Sequence, residues 1–393
     1  MAILNRDNFY HLGSRDFIEK RESTSTWFIR DFHNDPVDYY FFDFKDGDVF
    51  DYYPLHQFLT NEEIQSIKDR KVMLCIDNCH ESYHSIIDPL YRSLVIKQGI
   101  PADQILLLTE SADIATEIER IASLYNQPLM KAEWICTFEY NIQVNIKERY
   151  PNEQDIPNRL QLKDYSKKFL NFNRRWRSQR VLLVALMKAY GILDYGYVSL
   201  GKADDNMSWN EGLFTWIDSL LNHEPSKLKL KRFKSDILSL PEMYLDNTNL
   251  VENQPLLDDA THPFYDNSYF SVVTETNFFK SPTYGRDESA RFFSEKIFKP
   301  VAECHPLIIV SVPNMLEKWT ELGYKSYSPY IDESYDSESN ESLRMFKIIK
   351  EIKRLSELSG DELTTFLNGV KEITTYNYNV LRNKTLFCRR LNY

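Results

Sequence analysis

Short apolar runs that end abruptly in polar residues recur along this chain, with helical segments between them. Residues 71–76 (K-V-M-L-C-I) run into Asp77-Asn78-Cys79-His80-Glu81. Residues 104–108 (Q-I-L-L-L) lead to Ser111-Ala112-Asp113, and residues 270–274 (F-S-V-V-T) lead to Glu275-Thr276-Asn277. Residues 306–310 (P-L-I-I-V) repeat the style. Runs this short, branched and continuously apolar read as strands buried on both faces, the signature of parallel sheets. Helical periodicity at about 83–98, 111–125 and 178–190 falls between the runs, so the pattern is βαβ and the fold class is α/β.

A chain of 393 residues exceeds one core and suits two domains. Pro128, then Pro151 and Pro157 with Asn and Asp between them, mark loops, and the boundary is expected in the second cluster. The expected plan is an α/β domain over 1–160, a second over 161–360, and a C-terminal helix over 361–393 that packs back on the first. Further strands are expected at 37–44, 134–138, 167–172 and 197–200, and helices at 213–221, 313–322, 341–357 and 361–383. Residues 1–36 read as polar and poorly periodic, and 227–234 as a basic surface run. The net charge of −11 argues against a chain that coats nucleic acid or an anionic membrane. Five cysteines, odd in number and scattered, are not a disulfide framework and read as reduced core thiols. The polar first ten residues do not read as a signal peptide, and the longest apolar run, 181–187, is far short of a membrane span. The expectation is a cytoplasmic protein with no membrane partner.

The strongest local pattern begins at Ser294-Glu295-Lys296, which opens a helix with Phe293, Ile297 and Val301 four apart on one face. A helix N-terminus carries free N–H groups and about half a positive charge. A lysine there adds a full charge, so phosphate is a natural guest, while the adjacent glutamate suits sugar hydroxyls. The same residues also suit an ordinary amphipathic helix with a solvated Glu-Lys pair. Ahead of the helix, a strand ends in Glu275-Thr276-Asn277, and ligands of open α/β sheets gather at carboxyl ends of strands.

Together T-E-T-N, F-S-E-K-I and H-P-L-I-I-V resemble the donor-binding domain of the α-1,3-fucosyltransferase family over about forty residues, 270–310. There a strand ending in Glu-Asn precedes a [Ser/Thr]-Glu-Lys-[Leu/Ile] helix and an apolar strand after a proline. This chain departs from that pattern where Thr276 splits the Glu and Asn, and where Lys299-Pro300 is expected to interrupt the helix. The resemblance implies a GT-B-like plan: two Rossmann-like parallel-sheet domains facing across a cleft, with C-terminal helices. It also implies an inverting, metal-independent transferase. Golgi relatives carry a membrane anchor, so a bare catalytic chain fits a bacterial or viral protein.

Asn173-Arg174-Arg175-Trp176-Arg177 lies where a strand meets a helix. Guanidinium groups grip phosphate in bidentate fashion, and cations are unfavourable at a helix N-terminus unless an anion joins them. The resemblance assigns Arg174 or Arg175 to the donor diphosphate, with Lys296 opposite. It leaves Glu275, Glu295 and Asn277 for ribose and base, with Asn173 and Ser294 in the same donor set. Transfer with inversion needs a base within hydrogen-bond reach of the acceptor hydroxyl. The resemblance places it in the first domain after a strand, where Glu81 fits first and Asp77 second; His80 and His84 would touch the acceptor. Those residues equally suit a helix cap and first turn. Trp209 and Trp216 could stack on sugar or base, or serve the core. Tyr284 or Arg286 could close a loop over the donor. The acidic run from Asp332 to Asp336 lacks calcium-loop spacing and reads as solvated.

The expected function is transfer of a sugar from a nucleoside-diphosphate sugar, GDP-fucose or similar, to a glycan hydroxyl, with no other cofactor and no bound metal. Modified bases of viral DNA are a second acceptor class, the one route by which nucleic acid would be a partner. A metal-dependent transferase using Asp46-Gly47-Asp48, and a non-catalytic nucleotide-sugar-binding protein, are the competing classes.

Overall fold

The structure, a computed structural model, describes residues 9–12, 18–19, 38–44, 50, 53–79, 86–152, 156–173, 177–201, 240, 243, 245, 257, 261–278, 290–384 and 388–390. The chain is α/β and divides into two units. The first comprises Met1–Thr137, Tyr284–Phe292 and Leu386–Tyr393; the second comprises Phe138–Thr283 and Phe293–Thr385. The chain first passes from one unit to the other between Thr137 and Phe138.

In the first unit the strands run β1 (Phe9–Leu12), β2 (Ile18–Glu19), β3 (Asp38–Phe44), β4 (Val72–Asn78), β5 (Ile105–Thr109) and β6 (Lys131–Ile135). The expected strands at 37–44, 71–76 and 104–108 are therefore present within one or two residues. Beyond them, β1 and β2 lie in the opening stretch that reads as aperiodic, and β6 starts three residues before the expected 134. The sheet order is β11-β6-β5-β4-β3-β1-β2, with β11 (Cys388–Arg390) antiparallel on one edge and β2 antiparallel on the other. The five strands between run parallel in simple sequence order, so every crossover among them steps the same way. Helices α1 (Asn61–Lys68), α2 (Ile87–Leu90, continuing as the π-helical Tyr91–Lys97) and α3 (Ile114–Tyr125) connect them. Thr60 caps α1 reciprocally with Glu63. Leu74, Ile76, Ile105 and Leu107 of the sheet, with Leu90, Leu94, Ile114 and Ile118, form one continuous buried core.

The second unit has four parallel strands: β7 (Phe169–Asn171), β8 (Gly196–Val198), β9 (Phe270–Thr274) and β10 (Leu307–Val310), in the order β10-β9-β7-β8. Strand β7 leads away to β8 on one side, while β9 leads to β10 on the other. The order therefore reverses between adjacent strands β7 and β9. In open α/β sheets the crevice beyond the carboxyl ends at such a switch point is where ligands settle.

The helices of this unit are α4 (Thr137–Arg149), α5 (Ser178–Ala189), α6 (His262–Asp266), α7 (Glu295–Ala302), α8 (Met315–Glu321), α9 (Glu341–Ser356) and α10 (Gly360–Asn383). Gly191, at φ 70°, ends the turn after α5, as a left-handed position asks. A Cβ at Gly196 would run into the Phe169 ring on the neighbouring strand. Helix α9 packs against α5 and β10, and α7 packs against β9, β10 and α10. So α10, expected to pack on the first domain, counts with the second unit; the strand that follows it joins the first unit's sheet. Helix α4 has no expected counterpart, since Ile142, Val144 and Ile146 alternate in a strand-like way. The expected helix at 213–221, the basic run 227–234, Asp46, Asp48, Trp209, Trp216, Tyr284 and Arg286 lie outside the described residues. Among the described residues, no helix is long and apolar enough to cross a membrane.

Candidate functional site

The carboxyl end of β9 and the first turn of α7 are joined by one carboxylate. Glu275, the residue after β9, is fully buried. Its oxygens accept the Ser294 backbone N–H at 3.0 Å, the Ser294 hydroxyl at 2.8 and 2.9 Å, and the Thr276 N–H at 3.0 Å. Its own N–H donates to the Val310 carbonyl at 3.0 Å, which ties the turn to β10. Ser294 is the N-cap of α7, with an extended backbone and its hydroxyl facing the Lys296 N–H. The Lys296 ammonium folds back over this turn and donates to Ser294 Oγ at 2.8 Å, with Glu295 Oε1 at 3.4 Å. The Lys296 and Glu295 side chains keep about a quarter of their surface exposed, at 28% and 25%. Burial would push the Glu295 carboxyl up, but the charges of Lys296 and Lys299 overcome it and hold it below the ordinary value.

These contacts correct two expectations. Glu275, expected to accept from ribose hydroxyls, has no exposed surface; it fixes the helix start instead. Lys299-Pro300, expected to interrupt the helix, lies inside it, and α7 continues to Ala302. The proline lacks only the N–H that would have met the Lys296 carbonyl.

The β7 side of the switch point is equally polar. Asn171, at the end of β7, donates its amide to the Val272 carbonyl at 2.6 Å and to Thr274 Oγ1 at 3.3 Å. Its oxygen must therefore be the acceptor for the Asn173 side-chain amide. That leaves Asn173 Oδ1, which is fully buried and has no hydrogen-bond partner among the described residues. Arg177 caps α5 and donates to the Thr276 carbonyl at 3.3 Å. Gln179, in the first turn, donates to the carbonyls of Glu275 at 3.1 Å and Thr276 at 2.9 Å. The loops after β7 and β9 are thus held to each other by side chains that reach across the reversal. Gln179 carried no sequence signal beyond its place in the first turn of a helix that follows a strand.

Of the other expected site residues, Asn277 is buried and its carbonyl accepts the Ser311 hydroxyl at 3.1 Å. Arg174 and Arg175 lie outside the described residues, as do Glu81, His80 and His84. Asp77, the second candidate base, is buried at the end of β4 in the first unit and accepts the Cys79 N–H at 2.9 Å, the bond of an Asx turn. Among the described residues, no cluster of three or more His, Cys, Asp or Glu side chains is placed to hold a metal ion.

A second polar cluster lies at the other end of α7. Arg159 donates from Nε to Glu303 at 2.8 Å and pairs with both Glu303 and Asp266; His262 Nε2 stands 2.9 Å from the second Glu303 oxygen. Nearby, His305 is fully buried between the Ser271 hydroxyl at 2.8 Å and the Ser268 carbonyl at 3.0 Å. A carbonyl can only accept, so Nε2 carries the proton and Nδ1 accepts from Ser271. Burial lowers the His305 pKa to about 4 and keeps the ring neutral. At Glu303 burial acts upward, but the His262 bond and the Arg159 charge prevail and hold the carboxyl below its ordinary value.

Chemically, the α7 N-terminus offers a partly exposed ammonium, Lys296, and a partly exposed carboxylate, Glu295. That set can hold an anion next to hydroxyl groups. No protein-family model matches the chain, and no curated protein matches it.

Proposed function

We propose that this protein is an inverting glycosyltransferase that moves a sugar from a nucleoside-diphosphate sugar, with GDP-fucose or a similar GDP-sugar first, to a glycan hydroxyl. The observation that carries the reading is the meeting of T-E-T-N and S-E-K-I at a topological switch point. The two halves of the motif resembling the fucosyltransferases, twenty residues apart in sequence, are joined by the Glu275–Ser294 hydrogen bonds. In this reading Lys296 receives the diphosphate at the positive end of α7, with Arg174 or Arg175 as the second cation. Glu295 takes ribose hydroxyls. The first unit supplies the base, Glu81 before Asp77, on the GT-B plan. The base takes the acceptor proton as the acceptor oxygen bonds the anomeric carbon, and the nucleoside diphosphate leaves with the electrons of the broken C–O bond.

The test is a thermal-shift panel of GDP, UDP, dTDP, CDP and ADP, each with and without Mn²⁺. A nucleotide at a hundred times its Kd adds about 2.7 kcal/mol, several degrees of Tm for a chain of this size. A metal-free shift with one nucleotide supports the site and names the base. A shift only with Mn²⁺ moves the reading to Asp46 and Asp48, and no shift with any nucleotide overturns it. Radiolabelled transfer to a glycan, against binding alone, separates the enzyme from a nucleotide-sugar-binding protein.

A further inference from the structure

Asp113 stands at the N-cap of α3 and does not cap it. An aspartate in that position ordinarily turns its carboxylate onto the N–H groups of its own helix's first turn, from an extended backbone. Here the backbone has ψ 7°, and no side-chain cap bond forms. The carboxylate faces Arg291 instead. Its oxygens accept the Arg291 backbone N–H at 3.1 Å and the Nε–H at 2.9 Å, and Nη2 donates to Oδ1 as well. Beside this pair the Ala112 N–H donates to the Arg291 carbonyl at 3.0 Å, and Ser111 and Phe292 form an isolated antiparallel bridge. Residues 290–292 thus lie against the loop that leaves β5 and count with the first unit, although the connection they belong to starts at β9 and ends at α7 of the second. The chain returns to the second unit at Phe293, which is fully buried with its ring beside Phe298 and Trp319.

We propose that Asp113 is a two-position switch and residues 290–292 the strap it holds. Closed, its carboxylate grips Arg291; open, the same carboxylate caps α3 and the strap comes away from the β5 loop. Both positions offer the carboxylate N–H donors, so opening exchanges one set of charge-assisted bonds for another. The positive end of α3 favours a negative group in the second position. The first is within reach of solvent, since the Arg291 and Asp113 side chains keep 19% and 21% of their surface exposed. A single bridge and a partly exposed ion pair can open locally while the sheet behind them stays folded. Only Phe292 separates Arg291 from the buried Phe293. The switch therefore decides whether the approach to α7 is fixed on both sides of Phe292 or on one. It needs no ligand at α7 and is independent of the transferase reading.

The experiment is amide hydrogen exchange, resolved by residue, on the full chain and on Arg291→Gln. Glutamine removes the charge, so the strap loses its grip while Asp113 keeps its carboxylate for α3. Ala112, whose N–H is bonded to Arg291, should then exchange about tenfold faster. Whichever of the first-turn amides Ala115 and Thr116 takes the cap should exchange about fivefold slower. Leu107, in the buried core of β5, should keep its wild-type rate. Asp113→Ala, which can take neither position, should speed Ala112 and slow neither first-turn amide. Wild type in about 1 M NaCl needs no variant: salt screens the exposed ion pair, and Ala112 should speed about threefold. Ala112 unchanged in Arg291→Gln, or in salt if that variant does not fold, would mean that the pair does not hold the strap. Ala112 faster with neither first-turn amide slower would make Arg291 a plain staple with no second position. Ala112 and Leu107 faster together would make the opening an unfolding of the unit. Each of these three results overturns the proposal, as does a slowed first-turn amide in Asp113→Ala.

Discussion

The two ends of α7 carry polar clusters of similar size and opposite character. At the C-terminus, Glu303 is closed in by Arg159 and His262, with side-chain exposures of 2%, 9% and 23%. There the buried Glu303 carboxylate is paired directly with a buried cation, Arg159, which also reaches Asp266. At the N-terminus the buried carboxylate of Glu275 meets neutral donors among the described residues, and Lys296, which bonds the same Ser294 hydroxyl, stays partly exposed. A closed, matched cluster holds the fold together. An open cluster, with a partly exposed charge, is the one of the two that solvent and solutes can reach. The difference predicts that mutations at one end cost stability and at the other end cost binding.

The largest effect is expected at the closed end. Arg159→Ala leaves Glu303 buried without its principal cation, and breaking a buried pair from one side costs about 3–5 kcal/mol. Urea unfolding should show this as a lower midpoint with an unchanged slope. Pyrophosphate affinity of the folded fraction should stay as in wild type. A variant that unfolds normally but loses pyrophosphate would reverse the assignment of the two ends.

Acid should act at the same end. The folded His305 binds its proton only near pH 4, whereas the unfolded chain takes one near the ordinary histidine value. Between those values the unfolded state holds more protons, so stability rises with pH. Lowering the pH from 7 to 5 should therefore cost about 2 kcal/mol from this group. Glu303, whose folded carboxyl sits below its ordinary value, acts in the same direction: its contribution is present above that value and is lost as pH falls through the folded one. Urea titrations at pH 7 and 5 check the sum, and His305→Asn should flatten the dependence. An unchanged slope in that variant would mean that the ring is protonated in the folded protein.

How much of this contrast was legible in the sequence depends on range. Strand β9 and helices α9 and α10 appear within a residue of where their apolar spacing placed them, because continuous apolar runs and 3.6-residue periods are local. Helix α4 was hidden by an alternation of Ile142, Val144 and Ile146 that imitates a strand. The S-E-K start of α7 was visible, since a cap and a charge lie within three residues. What Glu275 does was not visible, because its partner Ser294 is nineteen residues away and the fold alone brings them together. Arg159 is further still, 144 residues from Glu303, and nothing near either one announces the pair. The strand reversal that marks the site is a property of sheet order, which local periodicity does not encode.

At the open end, Lys296→Ala should weaken nucleoside-diphosphate binding by about tenfold to a hundredfold, or about 1.4–2.8 kcal/mol. Stability should move by less than about 0.5 kcal/mol, as for a partly exposed side chain that closes no core. Calorimetric titration and a thermal melt of the same sample separate the two. A melt lowered by several degrees with binding intact would make Lys296 a structural cation, and the contrast between the helix ends would lose its basis.

The smallest effect is a test of whether burial, rather than charge pairing itself, makes the closed end costly. Lys353 and Glu357 pair one turn apart on the surface of α9, with side-chain exposures of 41% and 51%. Water screens such a pair, and holding two long side chains together offsets much of the attraction, so exposed pairs at this spacing contribute about 0.3–0.5 kcal/mol. Lys353→Ala should therefore shift the urea midpoint barely beyond experimental scatter, and added salt should erase the shift. Arg159→Ala should keep its effect in the same salt, because a pair shielded from solvent is screened far less. If the two variants respond to salt alike, the Arg159 cluster is wetter than its burial implies. Its cost would then come from lost packing of the guanidinium rather than from a carboxylate left behind in the interior.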